Sequence, residues 1–233
     1  MIAVVGYGAM GKLIYEAIDG EKCVVAPECE YKTLNELPYK VDSIIDFSNH
    51  NNLDMVLNYA KSHKIPVVIG TTGYSDEELN KIKEASKIVP IMHSSNYSVG
   101  INLLNKLLHE ITPILKDNYD IEVLEAHHNK KKDAPSGTLL TLLKTLKEET
   151  GYEVALDRTT SKPRQKEEIG VSVVRGGTIA GTHEVMYLGD DEEIILTHRA
   201  SSKKIFVSGA LKAHAWLLGK LPGLYTMEDV LND

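Results

Sequence analysis

Ile2-Ala-Val-Val-Gly-Tyr-Gly-Ala-Met-Gly11 opens on four apolar residues and runs straight into a complete Gly-x-Gly-x-x-Gly. Six-residue glycine patterns arise by chance, but this one follows a short buried strand and opens a helix, the context that gives it meaning. Gly6 permits the tight turn, Gly8 lets the backbone approach a pyrophosphate, and Gly11 lets helix and strand pack closely. The helix start then offers free N–H groups and a partial positive charge to a diphosphate. The stretch therefore predicts a parallel, Rossmann-like α/β layer with a dinucleotide on its first turn.

The pattern outward from it agrees. Helical spacing over Met10 to Ile18 leads to strands at Cys23 to Ala26 and Ser43 to Asp46. Leu53, Val56, Leu57 and Ala60 mark one helical face, and Val67-Val68-Ile69 is a β-branched run. Ser75-Asp-Glu-Glu78 is a helix start with acids in its first turn, ending near Lys87, and a strand follows at Ile88 to Met92. After about residue 98 the register changes. Ile101 to Leu115 and Leu139 to Glu149 read as helices, with Gly151 as a stop, and Asp120 to Ala126 as a strand. From Ile169 to Arg199 the pattern is β, with turns at Gly176-Gly177 and Gly189-Asp190-Asp191. Gly209 to Leu218 is a helix expected to return to the first lobe. The expectation is an α/β chain: a Rossmann-like parallel-sheet domain over residues 1–98 and 208–233, and an α+β domain over 99–207. The second domain's sheet is largely antiparallel or mixed, with a face able to pair with another chain.

Three loops fall where doubly wound sheets bind ligands, at the carboxyl ends of strands. They are Asp46-Phe47-Ser48, Gly70-Thr71-Thr72-Gly73 and Ser94-Ser95-Asn96-Tyr97-Ser98. The acid expected about 20 positions beyond the fingerprint is Glu28, whose carboxylate can accept both ribose hydroxyls and would repel a 2′-phosphate. No Arg adjoins it, and Lys32 is the nearest base in sequence, so the reading leans to NADH over NADPH.

Bulk properties limit the function. The 233 residues carry a net charge of −7, with 42% hydrophobic and 25% charged residues. That argues against nucleic acid or an anionic membrane as partner. The 2 cysteines, Cys23 and Cys29, form no disulfide framework or zinc spacing. No apolar run approaches the roughly 20 residues that span a bilayer. The expectation is a soluble, cytoplasmic protein.

Against this acidic background stands Glu125-Ala-His-His-Asn-Lys-Lys-Lys-Asp-Ala-Pro-Ser-Gly-Thr138. Strand alternation puts Val123, Glu125 and His127 on one side, and Leu124, Ala126 and His128 on the other. Ser136 is a natural N-cap, but position 139 is Leu, so the capping-box acid is missing. Backbone N–H groups near Gly137 and Thr138 are thus available to a carboxylate, and the lysines complete a local anion trap. A solvated basic loop before an ordinary helix is the plainer reading. His50, His63, His109 and His214, on helices or their starts, read as surface groups, while burial or an interface would explain His183 and His198. No His-Glu-x-x-His, Cys/His cluster or Gly-x-Ser-x-Gly elbow is present, so neither a metal nor a serine nucleophile is expected.

At this point the chain resembles the 4-hydroxy-tetrahydrodipicolinate reductase family, formerly dihydrodipicolinate reductase, of the diaminopimelate route to lysine. The resemblance rests on the 125–138 run. It is supported in order and spacing by the glycine fingerprint, Asp46-Phe47-Ser48, Gly70 to Gly73, Ser95 to Gly100 and Ser208-Gly209-Ala210. It implies that His127 is the catalytic acid and Lys131 its assistant, while Lys130 and Lys132 fall on variable positions. It further implies that His128, Gly137 and Thr138 bind the dicarboxylate substrate. Cofactor contacts would fall on Gly6, Tyr7, Gly8, Ala9, Met10 and Gly11, on Gly70, Thr71 and Thr72, and on Ser94, Ser95, Asn96 and Tyr97; the strand-end positions read above add Glu28 and Phe47. The implied assembly is a homotetramer through the second domain's sheet. The chain departs from the family in the short Pro27 to Asp42 connection, in lacking an acidic-then-basic pair at Glu28-Cys29, and at Ser94-Ser95, where Ala-Pro is common. Other dehydrogenases of amino or imino dicarboxylates, such as those acting on aspartate or diaminopimelate, would use an equal anion trap. A non-catalytic NAD-binding regulator would not need His127 and Lys131.

Overall fold

A computed structural model describes residues 1–156 and 163–233. The elements in chain order are β1 (Ile2–Val5), α1 (Ala9–Ala17), β2 (Lys22–Val25), β3 (Ser43–Asp46), α2 (Leu53–His63), β4 (Val67–Ile69), α3 (Asp76–Ser86) and β5 (Pro90–His93). There follow α4 (Val99–Leu115), β6 (Asp120–His127), α5 (Gly137–Thr150), β7 (Glu153–Ala155), β8 (Glu168–Arg175), β9 (Gly181–Leu188) and β10 (Glu193–Ala200). The chain ends with α6 (Lys204–Leu217), β11 (Gly223–Tyr225) and α7 (Met227–Asn232). Two compact units divide it: Met1–Val99 with Lys204–Asp233, and Gly100–Lys203.

The first unit is a six-stranded sheet, β11-β5-β4-β3-β1-β2, in which every pairing is parallel. Alternation along its strands sends side chains to two separate cores. Ala3, Val5, Ile44, Val67, Ile69 and Ile91 pack with Leu53, Val56, Leu57 and Ala60 of α2 and Ile82 and Ala85 of α3. Val4, Ile45, Val68 and Met92 pack with Ile14 of α1, Val207, Ala210, Ala213 and Leu217 of α6, and Met227 and Val230 of α7. With both faces covered, the strands read as continuous apolar runs. Ser75 caps α3 in a full capping box with Glu78. The connection between β2 and β3 holds only a 3-10 turn, Leu34–Glu36, as its length requires.

His214 corrects a sequence expectation. It is buried on α6, with Nε2 2.7 Å from the buried Ser43 Oγ of β3. A helix that covers a sheet buries polar residues on that stripe too, and His214 is tolerated because Ser43 meets it.

The second unit is a five-stranded mixed sheet, β10-β9-β6-β8-β7. β9 runs antiparallel to β6 and β10, whereas β8 runs parallel to β6 and β7. One face carries Ile121, Val123, Ile169, Val171, Val185 and Tyr187 against Leu104 and Leu108 of α4 and Leu139, Leu142 and Leu146 of α5. Gly151 ends α5 with φ +74°, the left-handed stop anticipated there. The β6–β8 and β6–β9 pairings decide the site, because they set Arg175 beside His127 and His183 beside Glu125.

Candidate active site

In the first unit the fingerprint glycines are each required for a different reason. Gly6 has φ +94°, and a Cβ there would strike the Phe47 carbonyl. A Cβ on Gly11 would strike the carbonyl of Gly6, so this glycine lets α1 close onto the turn. Gly8 is exposed, with open space where a Cβ would stand, and as N-cap of α1 it supplies no side-chain cap. The first amides of α1 are thus left for an anion, and a diphosphate fits this start. Ala9 is exposed beside it, and Met10 packs on the apolar cluster beneath α1. Tyr7 lies under the Lys12 ammonium, 5.0 Å from its ring centre. Glu28 is exposed in the loop after β2.

Two of the three strand-end loops meet at one buried acid, and the third joins them through the Phe47 and Tyr97 rings. Asp46 has no exposed surface, accepts from Ser48 Oγ at 2.5 Å and from Thr71 Oγ1 at 2.9 Å, while Thr71 Oγ1 accepts from Ser48 N–H at 2.9 Å. Burial pushes the Asp46 carboxyl up, against those hydrogen bonds, to about 6. The Thr71 hydroxyl is therefore committed to the loop's own structure, while Thr72 is exposed. Gly70 sits on the Phe47 ring, which in turn packs on Tyr97 with ring centres 5.4 Å apart. Tyr97 OH donates to the Ile69 carbonyl at 2.8 Å. Ser94 Oγ donates to the Asn96 carbonyl and Asn96 Oδ1 accepts from Ser98 N–H, so that loop is self-braced, with Ser95 exposed. Gly209 on α6 lies against the Tyr97 carbonyl where no Cβ could fit, which explains the glycine in Ser208-Gly209-Ala210.

In the second unit β6 carries Glu125 and His127 inward, both buried, and ends there; His128 follows half-buried. The Gly176 N–H donates to the His127 carbonyl at 2.9 Å, which ties the strand end to the turn after β8. Lys131 is half-buried and paired with Asp133 at 2.8 Å, whereas Lys130 and Lys132 are exposed. Ser136 caps α5 by accepting from Leu139 N–H at 3.1 Å, and Gly137 is exposed at the helix's first position with Thr138 next to it. Ser136 satisfies one of the donors that a helix start leaves unpaired. Burial pushes the His127 imidazole down; Glu125 opposes this, but His183, Lys131 and Arg175 push further, to about 4. In the free protein His127 is neutral at pH 7.

Two members of this cluster are absent from the expected site residues: Arg175, and His183, for which the sequence suggests burial or an interface and which is buried. Arg175 Nη2 donates to Glu125 Oε1 at 2.7 Å. His183, buried, has its ring centre 5.2 Å from that of His127 and its Nε2 3.2 Å from Ser136 Oγ. Glu125, His127 and His183 bring ligand-type atoms within 4.8 Å of one another, a spacing that a divalent cation could use. The Arg175 guanidinium already supplies positive charge to that carboxylate. Burial raises the Glu125 carboxyl, yet the His183 ring 3.7 Å away and hydrogen bonds from Ser136 and Arg175 outweigh it and hold the group well below the usual carboxylate range.

Residues 1–97 match the family model "Dihydrodipicolinate reductase, N-terminus" and residues 100–231 match "Dihydrodipicolinate reductase, C-terminus". The chain is 44% identical over 238 residues to a 4-hydroxy-tetrahydrodipicolinate reductase of Clostridium novyi, covering 96% of this chain and 94% of the relative. It is 43% identical to that of Rickettsia akari, covering 97% and 93%. Its fold is similar to a dipicolinate-bound dihydrodipicolinate reductase from Paenisporosarcina (TM-score 0.76, 17% identity, 97% and 96% covered). An aspartate dehydrogenase from Thermotoga maritima shares the fold more distantly (TM-score 0.51, 13% identity, 94% and 97% covered). With both halves matched and relatives above 40% identity over nearly its whole length, the chain belongs to the dihydrodipicolinate reductase family.

Proposed function

We propose that this protein reduces 4-hydroxy-tetrahydrodipicolinate, through its dehydrated cyclic imine, to tetrahydrodipicolinate in lysine and diaminopimelate biosynthesis. Family membership supports the reaction. The observation in the fold that supports it best is a buried imidazole, His127, set among cations and beside a helix start in a protein of net charge −7. A dianionic ring that must accept a proton suits that arrangement.

When bound, the reduced nicotinamide supplies the hydride. His127 holds the accompanying proton and delivers it to the developing enamine carbon. Lys131 neutralises a substrate carboxylate and supports the proton transfer. His128 and the amides of Gly137 and Thr138 grip the dicarboxylate. Gly6 to Gly11 hold the diphosphate, and Phe47, Gly70 to Thr72 and Ser94 to Tyr97 shape the nicotinamide end. The exposed Glu28 carboxylate favours an unphosphorylated ribose, so NADH is the proposed preference.

The second unit's sheet offers a surface for assembly. Its face opposite the helices presents Val174 of β8 and Ile195 of β10, 43% and 41% exposed. We assign that face to a homotetramer; Ile195→Lys is expected to lower the assembly state in light scattering. No helix among the described residues is long and apolar enough to cross a membrane; the proposed location is the cytoplasm. Oxidation of NADH and of NADPH with freshly generated substrate, side by side, tests the reading. Turnover with neither would contradict the function, and a strong preference for NADPH would contradict the role of Glu28.

A further inference from the structure

Glu125 touches three parts of the second unit at once. Ser136 N–H, at the start of α5, donates to both of its oxygens at 3.2 Å. Arg175 Nη2 reaches its Oε1 and also the carbonyl of Asp133, each at 2.7 Å, and so ties it to the loop that carries Lys131. His127 Nδ1 and His183 Nε2 lie 3.8 Å and 3.7 Å from its Oε2. Nδ1 of His127 is buried and has no hydrogen-bond partner.

That geometry selects one tautomer. A lone pair on Nδ1 facing a carboxylate with no exposed surface would be repelled, whereas an N–H there is attracted. Nδ1 therefore carries the standing proton, and Nε2 is left as the atom that takes up and releases the working one. Nε2 faces Gly181 at the start of β9, where a Cβ would come within 3.2 Å; glycine leaves that edge of the ring unobstructed. Arg175 keeps Glu125 from taking the proton itself. Its charge also argues against a metal ion on the same carboxylate, since a cation there would meet Arg175 and Lys131 unscreened.

We propose that Glu125, Arg175 and His183 form a positioning network that fixes the tautomer of His127 and ties it to the Lys131 loop and the start of α5. The proposal rests on reading His127 as the proton donor. These residues act through His127, so their loss should change how the rate depends on pH as well as its size.

Glu125→Gln is the test, with two readouts. Long-range 1H–15N spectra of histidine-labelled protein without substrate should show the Nδ1–H tautomer of His127 in the parent. In the variant they should show a mixture or the Nε2–H form. With substrate, kcat should fall and its alkaline limb should move down by about one pH unit or more, because a carboxylate that favours the imidazolium is gone. Cofactor affinity should not change, which shows that the variant is folded. If Glu125→Gln does not fold, Glu125→Asp serves, since it keeps the charge but withdraws it from Nδ1; both readouts should move in the same direction. An unmoved limb with an unchanged tautomer overturns the proposal, even if the rate drops. A parent without turnover would sink the functional reading instead and leave the tautomer measurement standing.

Discussion

The Arg175 guanidinium meets Glu125 at 2.7 Å at a point where the carboxylate has no exposed surface. A buried pair of this kind is weak evidence of net stabilisation, but breaking it from one side is costly. Arg175→Met should destabilise the second unit by about 3–5 kcal/mol, because Glu125 is left buried and charged. Adding Glu125→Gln should recover much of that loss. Urea unfolding of both single variants and the double variant checks it; strictly additive effects would contradict the pairing.

Acid should cost the second unit stability through His127, as it should the first through His93 and His214, which burial also pushes down. An unfolded histidine takes a proton below about 6.5, but folded His127 resists until about 4, so stability is lost as pH falls through that window. Glu125, whose folded carboxyl is depressed, adds a loss of the same sign further down, below the usual carboxylate range. Asp46 in the first unit runs the other way: raised to about 6 when folded, it favours the fold as pH falls from there towards 3.8. Urea midpoints between pH 7 and 4.5 should therefore fall less steeply for His127→Gln than for the parent.

His127, the proposed donor, is neutral in the free protein, so in that role it must be charged when substrate binds. Two carboxylates beside His127 favour the imidazolium, so a dicarboxylate should bind with uptake of a proton near pH 6 to 7. Calorimetry of dipicolinate binding, in buffers of different ionisation enthalpy, should show uptake approaching one proton. His127→Ala should remove most of it.

The fingerprint glycines should fail in different ways. Gly8→Ala places a methyl group in open space at the start of α1, so melting temperature should hold while cofactor affinity falls at least tenfold. Gly11→Ala drives a methyl group into the Gly6 carbonyl and should lower both. Unchanged cofactor affinity in Gly8→Ala would contradict the assignment of Gly8 to the diphosphate.

What could be read from the sequence was local. Gly6 to Gly11, the β-branched strands and Ser136 signal themselves within a few residues, because turn geometry and capping act at that range. Arg175 lies fifty residues beyond Glu125, and only the parallel β6–β8 register brings them together. His183 reaches Glu125 through the antiparallel β6–β9 register and carries no motif of its own. His214 is buried rather than on the surface because its α6 face meets Ser43 of β3, a contact 171 residues apart. β7, β11 and α7 are three to six residues long, too short to show a period. The sequence therefore exposed the groups proposed to do the chemistry, while the groups that hold them depend on strand pairing.

The role proposed for His127 is that of proton donor in an imine-dicarboxylate reductase. Steady-state rates of His127→Ala and Lys131→Ala with freshly generated substrate, alongside cofactor binding by fluorescence, put that role to the test. The expected result is a loss of about 10²–10⁴-fold in kcat for His127→Ala and a heavy loss for Lys131→Ala, with cofactor affinity unchanged in both. Near-parental turnover by His127→Ala would rule out His127 as the donor.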